Sequence, residues 1–273
     1  MTHARAALVA LLAGATLAGC GTQVAQQPIT VTAPVDRPTS SSSTTSPSTT
    51  SSSTSTTSAP SSTSPTSTAG AKGDASDPLR PGDRGPQVRR LQRDLTEAGY
   101  WNGRADGTYG HLTEQAVLAL QKSAGLGRDG IAGRKTLDAL ASGTLPPLPK
   151  GAADRIEIDL ERQVLLVVRG GSIRYVINTS TASGETYMSH GRPAVAVTPT
   201  GTFTVGRTHR GNEVAPLGTL YSPRYFYGGY AVHGAASIPG YPASHGCARV
   251  SNAAMDLIWS EDLMPVGSTV IVR

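Results

Sequence analysis

Apolar residues are spread unevenly along this chain, and their spacing changes from one segment to the next. Ala6 to Ala18 form a continuous apolar stretch behind Arg5, too short to cross a membrane as a stable helix. Residues 38–68 then hold Ser, Thr or Pro at every position except Ala59. With nothing to bury, such a segment cannot offset its chain entropy, so residues 21–78 are predicted to be a disordered linker. As a flexible coil it would average about 40 Å end to end. Periodicity begins at Val88, Leu91 and Leu95, which share a helical face, with Gly99 as a stop signal. A repeat follows. Asp106-Gly107-x-x-Gly110-x-x-Thr113-x-x-Ala116-Val117 returns 23 residues later as Asp129-Gly130-x-x-Gly133-x-x-Thr136-x-x-Ala139-Leu140. Each Asp-Gly predicts a turn, each Thr sits near a helix start, and each apolar pair faces inward. Residues 79–146 therefore read as a small all-α domain of three helices.

The remainder, residues 150–273, reads as mainly β. Arg155 to Leu160 alternates polar and apolar, as a half-buried strand does. Val164 to Val168 is a short β-branched run, and Gly170-Gly171 turns it into Ser172 to Thr179 as a hairpin. Thr202–Val205, Tyr230–Val232 and Thr269–Val272 supply further strands. One helix is predicted from Asn252 to Asp262, with Ser251 as its N-cap. The expected architecture is a sandwich or barrel-like sheet with little helix.

Composition narrows the function. Only 38% of residues are hydrophobic, a deficit that the signal-like segment and linker explain. The net charge is +5, but residues 71–150 carry twelve basic and nine acidic side chains and residues 151–273 carry ten and nine. Such mixed surfaces argue against a nucleic-acid partner. Two cysteines with no C-x-x-C pair exclude a disulfide-stapled scaffold and the common zinc and redox motifs.

Candidate chemistry concentrates between His233 and Val250, which holds His233, His245 and Cys247. A single thiol in an exported protein risks oxidation without gaining a crosslink, so its place among histidines points to a nucleophile made by a base. Gly246 allows close backbone approach, and consecutive amides there could hold an oxyanion. Other readings compete: a small buried hydrophobe, a His/His/Cys zinc site with no evident fourth ligand, or Ser244 as nucleophile outside any Gly-x-Ser-x-Gly motif.

Three resemblances sharpen this. Leu17-Ala18-Gly19-Cys20 resembles the lipobox of bacterial lipoproteins, which implies residues 1–20 as signal peptide and Cys20 as the lipidated N-terminus. An ordinary secretory signal ending by chance in Cys is the alternative. Leu79-Arg80-x-Gly82-x-x-Gly85-x-x-Val88-x-x-Leu91-Gln92, with the repeat behind it, resembles peptidoglycan-binding domains. Tyr100 and Trp101 are its candidate exposed aromatics. Val232-His233-Gly234 with Ser244-His245-Gly246-Cys247-x-Arg249-Val250 is similar to the signature of the L,D-transpeptidase (YkuD) family. Agreement extends to Ile158-Asp159-Leu160, Thr198 to Phe203 and Tyr225 to Tyr230.

That likeness implies Cys247 as nucleophile, His233 as proton acceptor and donor, and the Gly234 carbonyl as orienter of the His233 ring. It implies the amides of His245, Gly246 and Cys247 as oxyanion hole, with the His245 side chain supporting. Arg249, Ser244, Tyr225 and Tyr230 become candidate substrate contacts. The implied enzyme is a cysteine-dependent acyltransferase that forms 3–3 cross-links in peptidoglycan without metal or cofactor and is acylated by carbapenems. The same acyl-enzyme would serve an L,D-carboxypeptidase or attach a protein to the wall, and a non-catalytic wall-binding lipoprotein is the remaining alternative. The expected location is the cell envelope, anchored to the outer face of the cytoplasmic membrane through Cys20.

Overall fold

The computed structural model describes residues 77–189 and 191–273. The signal segment, Cys20 and all but the end of the linker lie outside the described residues. Among the described residues three helices come first, α1 (Pro86–Glu97), α2 (His111–Ser123) and α3 (Arg134–Ala141). Gly99 ends the first at φ 85°, where its amide and that of Tyr100 bond back to Thr96 and Leu95. The repeat owes its form to a buried glutamine on the preceding helix. Gln92 donates to Asp106, Thr108 and Thr113 and accepts from the Gly107 amide at 2.8 Å. Gln121 does the same with Asp129, Ile131, Thr136 and Gly130. Each Asp-Gly turn thus closes on a side-chain amide, and its Gly takes a positive φ (82° and 69°) that favours glycine.

Twelve strands and one helix follow. They are β1 (Arg155–Asp159), β2 (Val164–Arg169), β3 (Ser172–Asn178), β4 (Thr186–Ser189), β5 (Arg192–Val195), β6 (Gly201–Thr204), β7 (Arg207–Thr208), β8 (Asn212–Ala215), β9 (Gly218–Tyr227), β10 (Tyr230–Ala235), β11 (Ala248–Ser251), α4 (Asn252–Ser260) and β12 (Thr269–Val272). One sheet has the order β3-β2-β1-β12-β6, the other β11-β10-β9-β7 with β8 also on β9, and β4-β5 form a separate hairpin. Ser251 caps α4 by accepting from the Ala254 amide at 3.1 Å. Ile156, Ile158, Leu165 and Val167 of the first sheet meet Phe226, Val232, Ala248 and Val250 of the second, with Met255 and Ile258 of α4 closing the core.

The first sheet is covered on its other face too. Val164, Leu166, Val168 and Val176 join Leu91, Leu95, Tyr100, Val117 and Leu120 of the helical segment in one apolar cluster. This explains why Val164 to Val168 is apolar throughout, because a strand buried on both faces has no solvent side to mark. The half-buried reading of β1 is corrected by the same packing. All five of its residues are buried, and its polar row is held in ion pairs: Glu157 with Arg155 and Arg273, Asp159 with Arg162 and Arg273. Alternation reveals which face is apolar, not whether the polar face meets water. Tyr100 and Trp101 are not exposed aromatics either. Tyr100 is fully buried with its hydroxyl donating to the Thr144 carbonyl at 2.7 Å, and Trp101 packs against the sandwich core.

Candidate active site

The second sheet brings the predicted residues together by register. β10 and β11 run parallel, with Val232 opposite Ala248 and His233 opposite Arg249. Val232 and Ala248 point into the core, so period-two alternation sends His233, Cys247 and Arg249 to the other side. There they line one cleft of about 310 Å³ with Tyr230, Gly246 and residues 217–220, where β9 begins. Parallel pairing needs a long crossover, and residues 236–247 supply it, so His233 and Cys247 line the same cleft although 14 positions apart.

The His233 ring is fixed from its Nδ1 side, which lies 2.9 Å from the Gly234 carbonyl. A carbonyl only accepts, so Nδ1 carries the hydrogen and Nε2 of the neutral ring is left as a base. Gly234 is required for this contact. A Cβ there would meet Tyr221 and Asn252 at 2.7 Å. Burial pushes the His233 pKa down, reinforced by the Arg249 charge and opposed by the bond to Gly234. Burial pushes the Cys247 thiol up, opposed by a backbone bond from Ala231 and by Arg249. Both shifts favour the uncharged pair, imidazole and thiol, in the resting site. The thiol itself lies 3.7 Å from the Gly229 carbonyl.

The loop ahead of Cys247 is built by its own side chains. Ser244 is 2% exposed, donates through Oγ to the Cys247 carbonyl at 2.6 Å and accepts from the Gly246 amide at 3.0 Å. Ser244 and Gly246 both line the cleft. Ser244 spends its hydroxyl inside the loop, and the Gly246 amide is engaged by Ser244. Gly246 is needed for space, since a Cβ would come within 2.5 Å of the Tyr230 ring. Thr198 holds the Gly246 carbonyl at 2.8 Å.

A model of the L,D-transpeptidase catalytic domain matches residues 153–272, and one of a peptidoglycan binding domain matches residues 84–140. The crystal structure of the L,D-transpeptidase from Xylanimonas cellulosilytica DSM 15894 is 47% identical, with a TM-score of 0.69, covering 71% of this chain and 96% of that one. The chain belongs to the L,D-transpeptidase family. The chain is also 48% identical over 66 residues to an N-acetylmuramoyl-L-alanine amidase from Bacillus licheniformis, over 23% of this chain and 18% of the amidase. The chain thus spans less than a fifth of that relative's length.

Within this L,D-transpeptidase, the remaining candidates separate. Arg249 lines the cleft, half-buried, with one Nη on the Ala243 carbonyl at 3.1 Å. Tyr230 lines it too, stacked on the exposed ring of Tyr227 at 6.0 Å. Tyr225 does not. It is buried, bonded to Glu213 at 3.1 Å and covered by the Arg207 guanidinium 3.8 Å from its ring centre. Nothing in the sequence signals Tyr187, which the β4–β5 hairpin places in the cleft with its ring 4.5 Å from that of His245. The turn between β8 and β9 is equally silent, because neither hairpin carries a motif and only their placement over the cleft gives them a role.

Proposed function

We propose that this protein is a peptidoglycan L,D-transpeptidase that forms 3–3 cross-links through a thioester on Cys247. The observation that carries the reading is the Nδ1 contact of His233 with the Gly234 carbonyl at 2.9 Å, which leaves Nε2 as a base in the cleft that holds the thiol. Nε2 takes the thiol proton as Sγ attacks the carbonyl between stem residues three and four. The oxyanion formed is held by the amides of His245 and Cys247. The C–N bond breaks, His233 returns its proton to the leaving D-Ala amine, and the acyl group stays on Sγ. An amine from the diamino acid of a second stem then loses a proton to His233 and attacks the thioester, releasing the thiol. Arg249, facing the same cleft, binds a substrate carboxylate through its guanidinium.

The resemblances supply the setting. The helical segment engages peptidoglycan, Cys20 carries the lipid that anchors the chain outside the cytoplasmic membrane, and the linker gives reach to the wall. Carbapenems acylate Cys247. The test uses full-length protein in detergent with purified tetrapeptide muropeptides, read by mass spectrometry. Dimers lacking one D-Ala are expected from wild type and none from Cys247→Ala. Tripeptide monomers alone would make the enzyme a carboxypeptidase, and unchanged product from Cys247→Ala would end the thiol mechanism.

A further inference from the structure

We propose that the helical segment positions the active-site loop, with Lys122 and Gln115 of α2 as positioning residues for the reaction at Cys247. The inference rests on the transpeptidase reading above for its kinetic readout and on the following contacts for its argument.

The loop at issue, residues 236–247, connects the His233 strand to the nucleophile. Its one buried side chain before Ser244 is Ile238, and the Ile238 carbonyl accepts from Gln115 Nε2 and from Asn178 Nδ2, each at 3.3 Å. Asn178 at the end of β3 donates in turn to Gln115 Oε1 at 2.7 Å and accepts from Lys122 Nζ at 2.5 Å. Lys122 Nζ also donates to the carbonyls of Gln163 at 3.1 Å and Thr179 at 2.9 Å. The next links run directly to the site. Thr179 Oγ1 donates to the Arg249 carbonyl at 2.8 Å, and Ser180 exchanges both backbone bonds with Arg249. From a second point, Arg128 Nη1 reaches the Gly240 carbonyl at 3.1 Å. α2 therefore holds the loop at Ile238 and, through Thr179, the back of the strand that carries Arg249, while Arg128 beyond its end holds Gly240.

Lys122 is an unusual choice for mere adhesion. It is 1% exposed, and its three partners are neutral acceptors that match the three N–H groups of an ammonium. Burial, helped by the Arg128 charge, pushes its pKa down to about 7. A buried amine facing no carboxylate adds little stability that a well-packed apolar side chain would not supply. What it does supply is direction, because three fixed donors set the positions of Asn178, Gln163 and Thr179 together.

The test compares Lys122→Met and Gln115→Leu with Gln92→Leu in the full-length protein. Gln92 is equally buried but bonds only within the helical segment, so its loss destabilises without touching the loop. Thermal midpoints, kcat/KM for muropeptide dimer formation and the rate of Cys247 alkylation by iodoacetamide are measured on each. Displacing the loop by a fraction of an ångström is expected to lower kcat/KM by about tenfold to a hundredfold in Lys122→Met and Gln115→Leu. Their double variant should fall no further than the worse single one, since both act through Asn178. Gln92→Leu should keep wild-type kcat/KM at a similar loss of midpoint. Activity that tracks the midpoint alike in all three variants, or wild-type activity in the two α2 variants, overturns the inference. If wild type itself forms no product, the transpeptidase reading fails, and the alkylation rates decide alone: rates equal to wild type in both α2 variants overturn the positioning role. Should Lys122→Met not fold, the same measurements on Gln115→Leu decide between the two outcomes.

Discussion

At the residue scale the cleft holds an imidazole and a thiol that both favour their uncharged forms, the ring oriented by a main-chain carbonyl where the proposed reaction would need its base. Burial presses the His233 pKa below its ordinary 6.5, and the bond to a neutral carbonyl opposes it less than an aspartate would. The sign of the pH dependence follows. Below the folded pKa the ring is protonated and cannot accept the thiol proton, and above it the base is free. The acid limb of kcat/KM is therefore expected below pH 6.5, with a plateau through neutrality, in a pH–rate profile. A limb centred above pH 7 would contradict it. The motif His233…Ser244-His245-Gly246-Cys247 points to the proposed machinery before the fold is known, through residue chemistry and the family resemblance together. The same string could not say that Ser244 would turn inward or that the Gly246 amide would be engaged. Those outcomes depend on loop dihedrals that residue identity leaves open.

At the scale of elements, β2 is the most informative. Its odd and even residues serve two different cores, Leu165 and Val167 inside the sandwich, Val164, Leu166 and Val168 against the helices. Truncating Leu166 to Ala should cost about 2–5 kcal/mol, because both the transfer energy and a residual cavity are lost in a fully covered position. Urea unfolding measures this, and a loss under about 1 kcal/mol would mean the helices can collapse onto the gap. Half of the strands were readable from alternation and turn residues, and α4 from its Ser251 cap. Pairing was not, since β1 finds β12 and β10 finds β11 in parallel register across more than a dozen residues.

At the scale of the whole molecule, the helical and β-rich segments are not independent modules on a string. The described residues all belong to one compact unit with a shared apolar layer. A chain from which residues 77–149 are removed should expose Val164, Leu166, Val168 and Val176, bind a hydrophobic dye such as ANS and lose cooperative unfolding by calorimetry. A truncated protein as stable as the full chain would refute the shared-core account. What the sequence by itself determined was local: three helices from their spacing and glycine turns, half of the strands, and the stretch from His233 to Val250 where the candidate chemistry gathers. Each follows from propensities or reactivities that a residue carries wherever it sits. Only the tertiary structure decided that Tyr100 is core, that Tyr225 stays outside the cleft while Tyr187 enters it, and that a lysine on α2 reaches Thr179, which in turn bonds to Arg249. Such outcomes depend on which faces meet across long stretches of chain, and that is fixed by packing summed over the whole fold.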